Sequence, residues 1–251
     1  MTLYPNNNGF DILRLEKTNS TSSCLRELCG KETVGDFTTI VAEHQTAGRG
    51  QRGNSWEAEA GKNLLFSFVL HPQFLQARRQ FLLSQIVSLA IKEELDIYAG
   101  DISIKWPNDI YWKDKKISGI LIEHDLDGNY ISQSIAGIGI NLNQKIFLSN
   151  APNPISLAQI TGKEYEIFHI LNDILRRTQE YYEQLKEDNT DMIVTRYKDS
   201  LYRKDGFHPY RDANGEFRAE IFDVDCGGTL ILRDDNDNLR KYAFKEVEFR
   251  L

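Results

Sequence analysis

The sequence predicts an α+β fold in which helices flank a mixed or antiparallel sheet and a small β-barrel follows. Three observations predict it. Apolar residues keep a helical period over two long segments, residues 78–98 and 166–186. Runs of β-branched and apolar residues lie before and between these segments, as expected for strands. After Tyr202 the pattern changes to short apolar runs separated by turn residues, which is typical of a small all-β unit. We therefore divide the chain into domains at residues 1–200 and 201–251.

Residues 1–200 supply the sheet and its helices. The segment from Thr18 to Thr21 is rich in helix-capping residues and predicts a short helix that begins near Thr21. Three glycines within residues 48–56 forbid regular structure, so this segment is predicted to be a loop. The other predicted elements are strands over residues 38–42 and 64–70, the helix over 78–98, sheet strands over 102–105, 116–123 and 131–143, and the helix over 166–186.

Residues 201–251 contain short apolar segments that predict strands. Gly227-Gly228 and the run from Asp234 to Asn238 separate them, and both are typical of turns. The predicted strands cover residues 217–224, 229–233, 239–244 and 247–251. Their shortness and regular spacing predict the small barrel.

The composition is that of an ordinary globular protein, with 251 residues of which 41% are hydrophobic and 27% charged. The formal net charge of -7 argues against nucleic acid as the main partner. No apolar run approaches the roughly 18 residues of a membrane span, and residues 1–9 lack the apolar core of a secretory signal. The three cysteines show no metal-site spacing. We therefore expect a cytoplasmic protein that binds neither nucleic acid nor membrane.

Residues 48–56, the glycine-arginine loop, have the composition of an anion-binding segment. Glycines let the backbone approach a ligand, and successive N–H groups cradle oxygen anions. Arg49 and Arg52 add charge-assisted contacts to a phosphate or carboxylate, and Trp56 offers a flat face to a purine. The spacing matches neither the Walker phosphate loop nor the dinucleotide fingerprint. Taken alone, the segment favours an exposed loop with solvated arginines.

Residues 105–122, the signature segment, combine cations and a carboxylate. Lys116 stands at the start of a predicted strand beside Gly119, which leaves room for a ligand, and Lys115 is expected on the opposite face. A cation such as Lys116 offsets the repulsion between a carboxylate nucleophile and a phosphate. Asp109 is a candidate for orienting or deprotonating an attacking amine. The alternative is an ordinary turn around Asp109 followed by solvated charges.

Three motifs of this chain stand in the order found in the biotin–protein ligases, a family that the chain resembles. The motifs are Gly48 to Trp56, Lys105-Trp106-Pro107-Asn108-Asp109, and Gly137 to Asn143. The resemblance implies a catalytic domain like that of the class II aminoacyl-tRNA synthetases, followed by an SH3-like barrel. It also implies a two-step reaction. Biotin and ATP, with Mg²⁺, give biotinyl-5′-AMP and pyrophosphate. A lysine of the biotin carboxyl carrier protein of acetyl-CoA carboxylase, or of a related carboxylase, then takes the biotin and releases AMP.

The resemblance assigns roles to individual residues. The residues assigned to biotin are Ser20, Thr21, Gln45, Gly48, Arg49, Arg52, Lys116, Gly119, Gly137 and Gly139. Those assigned to ATP and the adenylate are Arg49, Arg52, Trp56, Lys105, Asn108, Lys116 and Asn141. Lys116, Asp109 and Arg49 are the expected catalytic residues, with Asp109 acting in lysine transfer. Two positions depart from the family pattern. Gln51 stands where many members have arginine, and Ser22 stands where the family commonly has the asparagine of a Ser-Thr-Asn motif.

Two alternatives remain open. The first is a lipoate or octanoate transferase of the same superfamily. The signature segment is typical of the biotin branch, and no cysteine lies in a motif where it would accept an acyl group. The second is a non-enzymatic biotin-sensing regulator, yet too few residues precede the first predicted helix for a helix-turn-helix domain. Whether the chain forms a homodimer is a further open point.

Overall fold

A computed structural model describes residues 2–4, 9–50, 55–149 and 152–250. The larger sheet consists of β1 (Thr2–Tyr4), β2 (Ile12–Thr18), β3 (Thr39–Gln45), β4 (Leu64–Leu70), β5 (Ile102–Lys105), β6 (Asp109–Trp112), β7 (Lys115–Asp127) and β8 (Tyr130–Ile140). Their order across the sheet is β1-β2-β3-β4-β8-β7-β6-β5. β2 and β3 are parallel, and every other neighbouring pair is antiparallel. The predicted mixed sheet is therefore confirmed.

Helices accompany this sheet, as predicted. They are α1 (Thr21–Lys31), α2 (Phe81–Asp96), α3 (Leu157–Thr161), α4 (Ile167–Lys186) and α5 (Asp191–Asp199). α1 packs against β3, β4 and β8, whereas α2 packs against α4, α5 and β5. None of the described helices combines the length and apolarity needed to cross a lipid bilayer.

The core follows directly from the apolar patterns. β4 is buried along its whole length, and its apolar run is interrupted only by Ser67, as a strand covered on both faces requires. α4 is amphipathic and buries one face. Between the helices, the buried carboxylate of Glu94 accepts hydrogen bonds from Arg177 Nε at 2.9 Å and the Tyr98 hydroxyl at 3.1 Å. This pairing offsets the cost of burying the charge.

A separate antiparallel sheet of five strands follows: β9 (His208–Asp212), β10 (Gly215–Val224), β11 (Leu230–Asp234), β12 (Leu239–Tyr242) and β13 (Glu248–Phe249), in the order β12-β11-β10-β9-β13. It contacts the signature segment. The indole Nε1 of Trp106 donates to the carbonyl oxygen of Gly228 at 2.9 Å, and the Trp106 ring lies 6.0 Å from that of Phe244. The smaller sheet therefore holds the start of the signature segment in place.

The differences from the predicted elements are local. The signature segment contains an additional strand, β6, so it forms two hairpins, β5-β6 and β6-β7. The helix predicted from residue 78 begins at Phe81, after a single 3₁₀ turn over Ala77–Arg79. The strand β2, of seven residues, was not predicted. The short elements β1, α3, α5 and β9 were not predicted either, because a few residues are not enough to establish a period.

The chain leaves the larger sheet near the predicted domain boundary. Leu201 forms an isolated parallel bridge with Ile104 of β5, and Tyr202 donates its backbone N–H to the carbonyl of Ile104 at 2.9 Å. The smaller sheet then begins at His208. The division into residues 1–200 and 201–251 stays a prediction.

Gly228, in the turn between β10 and β11, lies close against Phe81 at the start of α2. Its φ is +89°, and a Cβ there would lie 2.7 Å from the Phe81 ring. We expect Gly228→Ala to destabilise the protein by about 1–3 kcal/mol through this overlap and the positive φ. Gly215→Ala is the matched control, because Gly215 has a φ of +124° and no atom within 4 Å of the added Cβ. Thermal unfolding measures both, and equal losses would contradict the overlap argument.

Candidate functional site

A strip that contains three glycines, Gly119, Gly137 and Gly139, runs along one face of β7 and β8. Gly119 pairs with Gly139, and Leu121 pairs with Gly137. The indole of Trp56 lies on this strip. A Cβ at Gly139 would come within 2.5 Å of the Trp56 ring, and one at Gly119 within 2.8 Å. The two glycines therefore leave the space that the indole fills.

A β-bulge brings Lys116 to the same face. Strict alternation would place Lys116 and Gly119 on opposite faces, because they are three residues apart. The register between β6 and β7 shifts here, since Tyr111 pairs with Lys116 whereas Ile110 pairs with Ser118. The Lys116 ammonium consequently lies 3.3 Å from the position of a Cβ on Gly119 and 5.8 Å from the centre of the Trp56 ring. Lys115 is exposed, as predicted.

The charged groups of the signature segment form a compact cluster. Lys116 Nζ lies 2.7 Å from Asp109 Oδ2, and Asp109 is the cross-strand partner of Lys105. Burial lowers the pKa of the Lys105 ammonium; Asp109 opposes this shift, while Lys116 and Arg203 add to it. Two cations thus share one carboxylate. Such a site is suited to receive a further anion.

A polar pocket lies at the other end of the glycine strip. Gln45 Oε1 accepts from the backbone N–H of Thr21 at 2.7 Å, and the Thr21 hydroxyl lies 2.8 Å from that of Ser67. The hydroxyls of Ser20 and Ser22 are 3.0 Å apart. Ser20 begins α1 but makes no side-chain capping bond, so its hydroxyl belongs to the pocket instead. The pocket borders Gly137, because a Cβ there would lie 3.4 Å from Ser67 Oγ and 3.5 Å from Ser22 Cβ.

The two ends of the glycine-arginine loop are closed against each other. The N–H of Trp56 donates to the carbonyl of Gly48 at 3.0 Å, and Arg49 forms an isolated antiparallel β-bridge with Ser55. A Cβ at Gly48 would lie 2.7 Å from the carbonyl oxygen of Trp56. Arg49 points to Glu123 and Ser22, at 2.8 Å and 3.1 Å. Arg52 and Gln51, to which the resemblance gives importance, lie outside the described residues.

Among the residues assigned to the site from the sequence, two buried polar atoms have no hydrogen-bond partner in the described part of the chain. They are Nε1 of Trp56 and Oδ1 of Asn141. Asn141 is 3% exposed and lies two residues after Gly139, on the same face of β8 if the alternation continues. Unsatisfied buried groups are uncommon and often mark ligand sites. Asn108 is buried beside Asp109.

The structure thus brings together most of the residues assigned from the sequence. The chain of contacts runs from Lys105 through Asp109, Lys116 and the strip to Gln45, and it includes Arg49. Two residues of the site, Ser67 and Glu123, were not predicted from the sequence. Ser67 carries a detectable signal, because it is the single polar residue of β4. Glu123 gives no such signal in the sequence, since a glutamate near the end of a strand is an ordinary surface residue.

The described residues hold no group of three or more His, Cys, Asp or Glu side chains arranged to bind a metal.

The two glycines of β8 should respond differently to substitution. Gly139→Ala should displace the Trp56 indole in the ligand-free protein and destabilise it by about 1–3 kcal/mol, because the added Cβ overlaps the ring. Gly137→Ala is the matched control, since its nearest neighbour, Ser67 Oγ, is at an ordinary 3.4 Å. Tryptophan fluorescence and thermal unfolding measure the effect. A Gly137→Ala variant with the same spectral shift would argue against it.

Comparisons with known proteins agree with this geometry. The sequence model of the Biotin/lipoate A/B protein ligase family matches residues 14–141. The bifunctional ligase/repressor BirA of Bacillus subtilis is 28% identical over 247 residues, which cover 96% of this chain and 74% of the relative. The BirA of Salmonella typhimurium is 35% identical over 237 residues, 90% of this chain and 70% of the relative. The structure of the biotin protein ligase from Aquifex aeolicus in complex with biotin and ATP superposes with a TM-score of 0.79 at 26% identity, covering 95% of this chain and 98% of that one. The chain therefore belongs to the biotin/lipoate A/B protein ligase family.

Proposed function

We propose that this protein is an ATP-dependent biotin–protein ligase. It activates biotin to biotinyl-5′-AMP and transfers the biotin to a lysine of the carrier protein of acetyl-CoA carboxylase or a related carboxylase. The observation that carries the proposal is the Lys116–Asp109 pair at one end of a glycine strip whose other end is a polar pocket. The Aquifex aeolicus relative, crystallised with biotin and ATP, supports the two small substrates.

Biotin fits this strip by its chemistry. Its ureido head needs polar partners, which Ser20, Thr21 and Gln45 provide. Its apolar rings and chain need a flat wall, and Trp56 over the glycines offers one. The carboxylate at the far end of the chain then meets Lys116. Trp56 thereby lines the biotin side as well as the adenylate side to which the resemblance assigns it.

In the first step, a biotin carboxylate oxygen attacks the α-phosphorus of ATP, and the bond to pyrophosphate breaks. Both reactants are anions, so their approach depends on nearby cations. Lys116 neutralises charge where the two meet, and Arg49 adds a second cation. We assign Lys105, Asn108 and Asn141 to the nucleotide. The lowered pKa of Lys105 is countered when a phosphate approaches, because a nearby anion favours the ammonium form.

Mg²⁺ enters as part of the Mg·ATP substrate. Such ions are commonly held by the phosphates with one or two protein carboxylates. The absence of a larger acidic cluster among the described residues is compatible with this mode.

In the second step, the amine of the acceptor lysine attacks the acyl carbon of biotinyl-AMP, and AMP leaves with the bonding electron pair. The lysine must first lose a proton, and Asp109 is the carboxylate placed to accept it. The ion pair with Lys116 holds the Asp109 carboxylate in place at this end of the strip.

The smaller sheet fits an SH3-like barrel in its size and antiparallel order, and the catalytic part fits the class II aminoacyl-tRNA synthetase type. We assign these to residues 201–251 and 1–200. A cytoplasmic location follows from the proposed acceptor. Analytical ultracentrifugation measures whether two copies of the chain associate.

Biotin-dependent exchange of pyrophosphate into ATP tests the function, with lipoate as the control substrate. We expect exchange with biotin and no exchange with lipoate. Exchange with lipoate alone would assign the chain to the lipoate branch of the family, and no exchange with either would favour a non-enzymatic binding role.

Lys116→Ala should lower pyrophosphate exchange by about 10²–10³-fold, because it removes a cation from the transferring phosphoryl group. The fold should persist, since Lys116 is partly exposed. Lys115→Ala is the matched control on the opposite face and should exchange at the wild-type rate. Unchanged exchange in Lys116→Ala would remove Lys116 from the mechanism.

Asp109→Asn should separate the two steps. Adenylate synthesis should survive, because asparagine keeps the shape and leaves Lys116 free for the phosphate. Transfer to the carrier should fall by about 10²–10⁴-fold, the range expected for losing a general base. Raising the pH should recover part of the transfer, since free lysine has a pKa near 10.4. Single-turnover kinetics measures both steps, and equal losses would show that Asp109 only supports Lys116.

A further inference from the structure

Glu123 contacts the guanidinium of Arg49 through both of its carboxylate oxygens. Its Oε2 accepts from Arg49 Nη2 at 2.8 Å and its Oε1 from Nη1 at 3.4 Å. Such a forked contact fixes the plane of a guanidinium as well as its position. Arg49 Nη2 also donates to Ser22 Oγ at 3.1 Å. The guanidinium is thereby oriented between a carboxylate of β7 and a hydroxyl of α1.

The strand register explains why Glu123 reaches this place. Glu123 lies two and four residues beyond Leu121 and Gly119, so alternation puts all three on one face of β7. That face carries the glycine strip. Glu123 continues the strip to its pocket end, where Ser22 lies near Gly137.

Stability is a poor explanation for this ion pair. The side chains of Arg49 and Glu123 are 41% and 33% exposed, and exposed pairs contribute little to folding. Arg26 also approaches Glu123, with Nη2 at 3.7 Å from Oε2, but it pairs more closely with Asp125 at 3.0 Å. Losing Glu123 would leave Arg26 its main partner. Arg49 would keep the Ser22 hydroxyl as its side-chain hydrogen-bond partner among the described residues.

We propose that Glu123 is a positioning residue that presets the Arg49 guanidinium at the biotin site. The proposal rests on the biotin ligase function, because the ligand it serves is biotin and its adenylate. A preset arginine need not be ordered when the ligand binds, and this lowers the entropic cost of binding. The effect acts on bound substrate and transition state alike. It therefore changes the KM for biotin rather than kcat.

Glu123→Gln tests this with Asp125→Asn as the matched control, because Asp125 binds Arg26 from the same strand and does not touch Arg49. We expect Glu123→Gln to raise the biotin Kd and KM by about two- to five-fold, the range of a partly exposed ion pair. The kcat for pyrophosphate exchange should hold, and Asp125→Asn should bind biotin as the wild type does. In an Arg49→Ala background, Glu123→Gln should have no further effect. Equal losses with and without Arg49, or an unchanged biotin Kd, would overturn the proposal.

A second measurement does not depend on biotin. Trypsin cleaves after Arg49 only when its guanidinium enters the acidic specificity pocket of the protease, so Glu123 competes directly with trypsin. In the ligand-free protein, cleavage after Arg49 should be faster in Glu123→Gln and unchanged in Asp125→Asn. If the wild-type chain binds no biotin, the proposed function fails while this result still tests the Glu123–Arg49 contact. Equal cleavage rates in all three proteins would overturn that contact.

Discussion

The pairing of Gly119 with Gly139 is the constraint on which the site depends. Two glycines opposite each other in neighbouring strands leave bare backbone on one face of a sheet that is otherwise covered by side chains. The Trp56 indole fills that space. Because Trp56 also closes the glycine-arginine loop against Gly48, the strip fixes where both ends of the loop lie. The wall of the pocket and the anchoring of Arg49 therefore have one structural origin.

The charges around the strip are arranged as cations that share carboxylates. Lys116 and Lys105 lie close to Asp109, and Arg49 and Arg26 lie close to Glu123. Each carboxylate limits the repulsion between two neighbouring cations in the ligand-free protein. At the Lys116 end it also leaves a positive excess, so an anionic ligand gains attraction there; at the other end Asp125 pairs with Arg26, and the charges balance. Such preorganisation has a cost, visible in the lowered pKa of Lys105 and in the buried Asn141 oxygen, which has no hydrogen-bond partner among the residues that the structure describes.

Long elements with a strong period could be predicted from the sequence, whereas cross-sheet contacts could not. β4 is found over its predicted residues, and α4 begins within one residue of its predicted start. The motifs of the loop and signature segment also pointed to residues that meet in the fold. The bulge that turns Lys116 toward Gly119 could not be predicted from the sequence, because residues three apart in a strand ordinarily lie on opposite faces. Ser67 and Glu123 joined the site through partners 46 and 74 residues away in the chain. Such contacts depend on strand order, which local pattern does not fix.

The signature segment divides its residues between chemistry and scaffold. In β5 and β6, Ile104 and Ile110 pair and are fully buried, whereas the next pair along, Lys105 and Asp109, carries the charges. Between these strands, the Trp106 indole is bound by the Gly228 carbonyl, and the Pro107 carbonyl accepts from the buried Tyr197 hydroxyl at 2.7 Å. The turn is thus anchored by the smaller sheet on one side and by α5 on the other. A turn fixed at its apex cannot shift its two flanking strands independently. Contacts outside the larger sheet therefore set the separation of Lys105 from Asp109, and through Asp109 they set the position of Lys116. This explains why bulky apolar residues stand in the middle of a segment whose chemistry needs only charges.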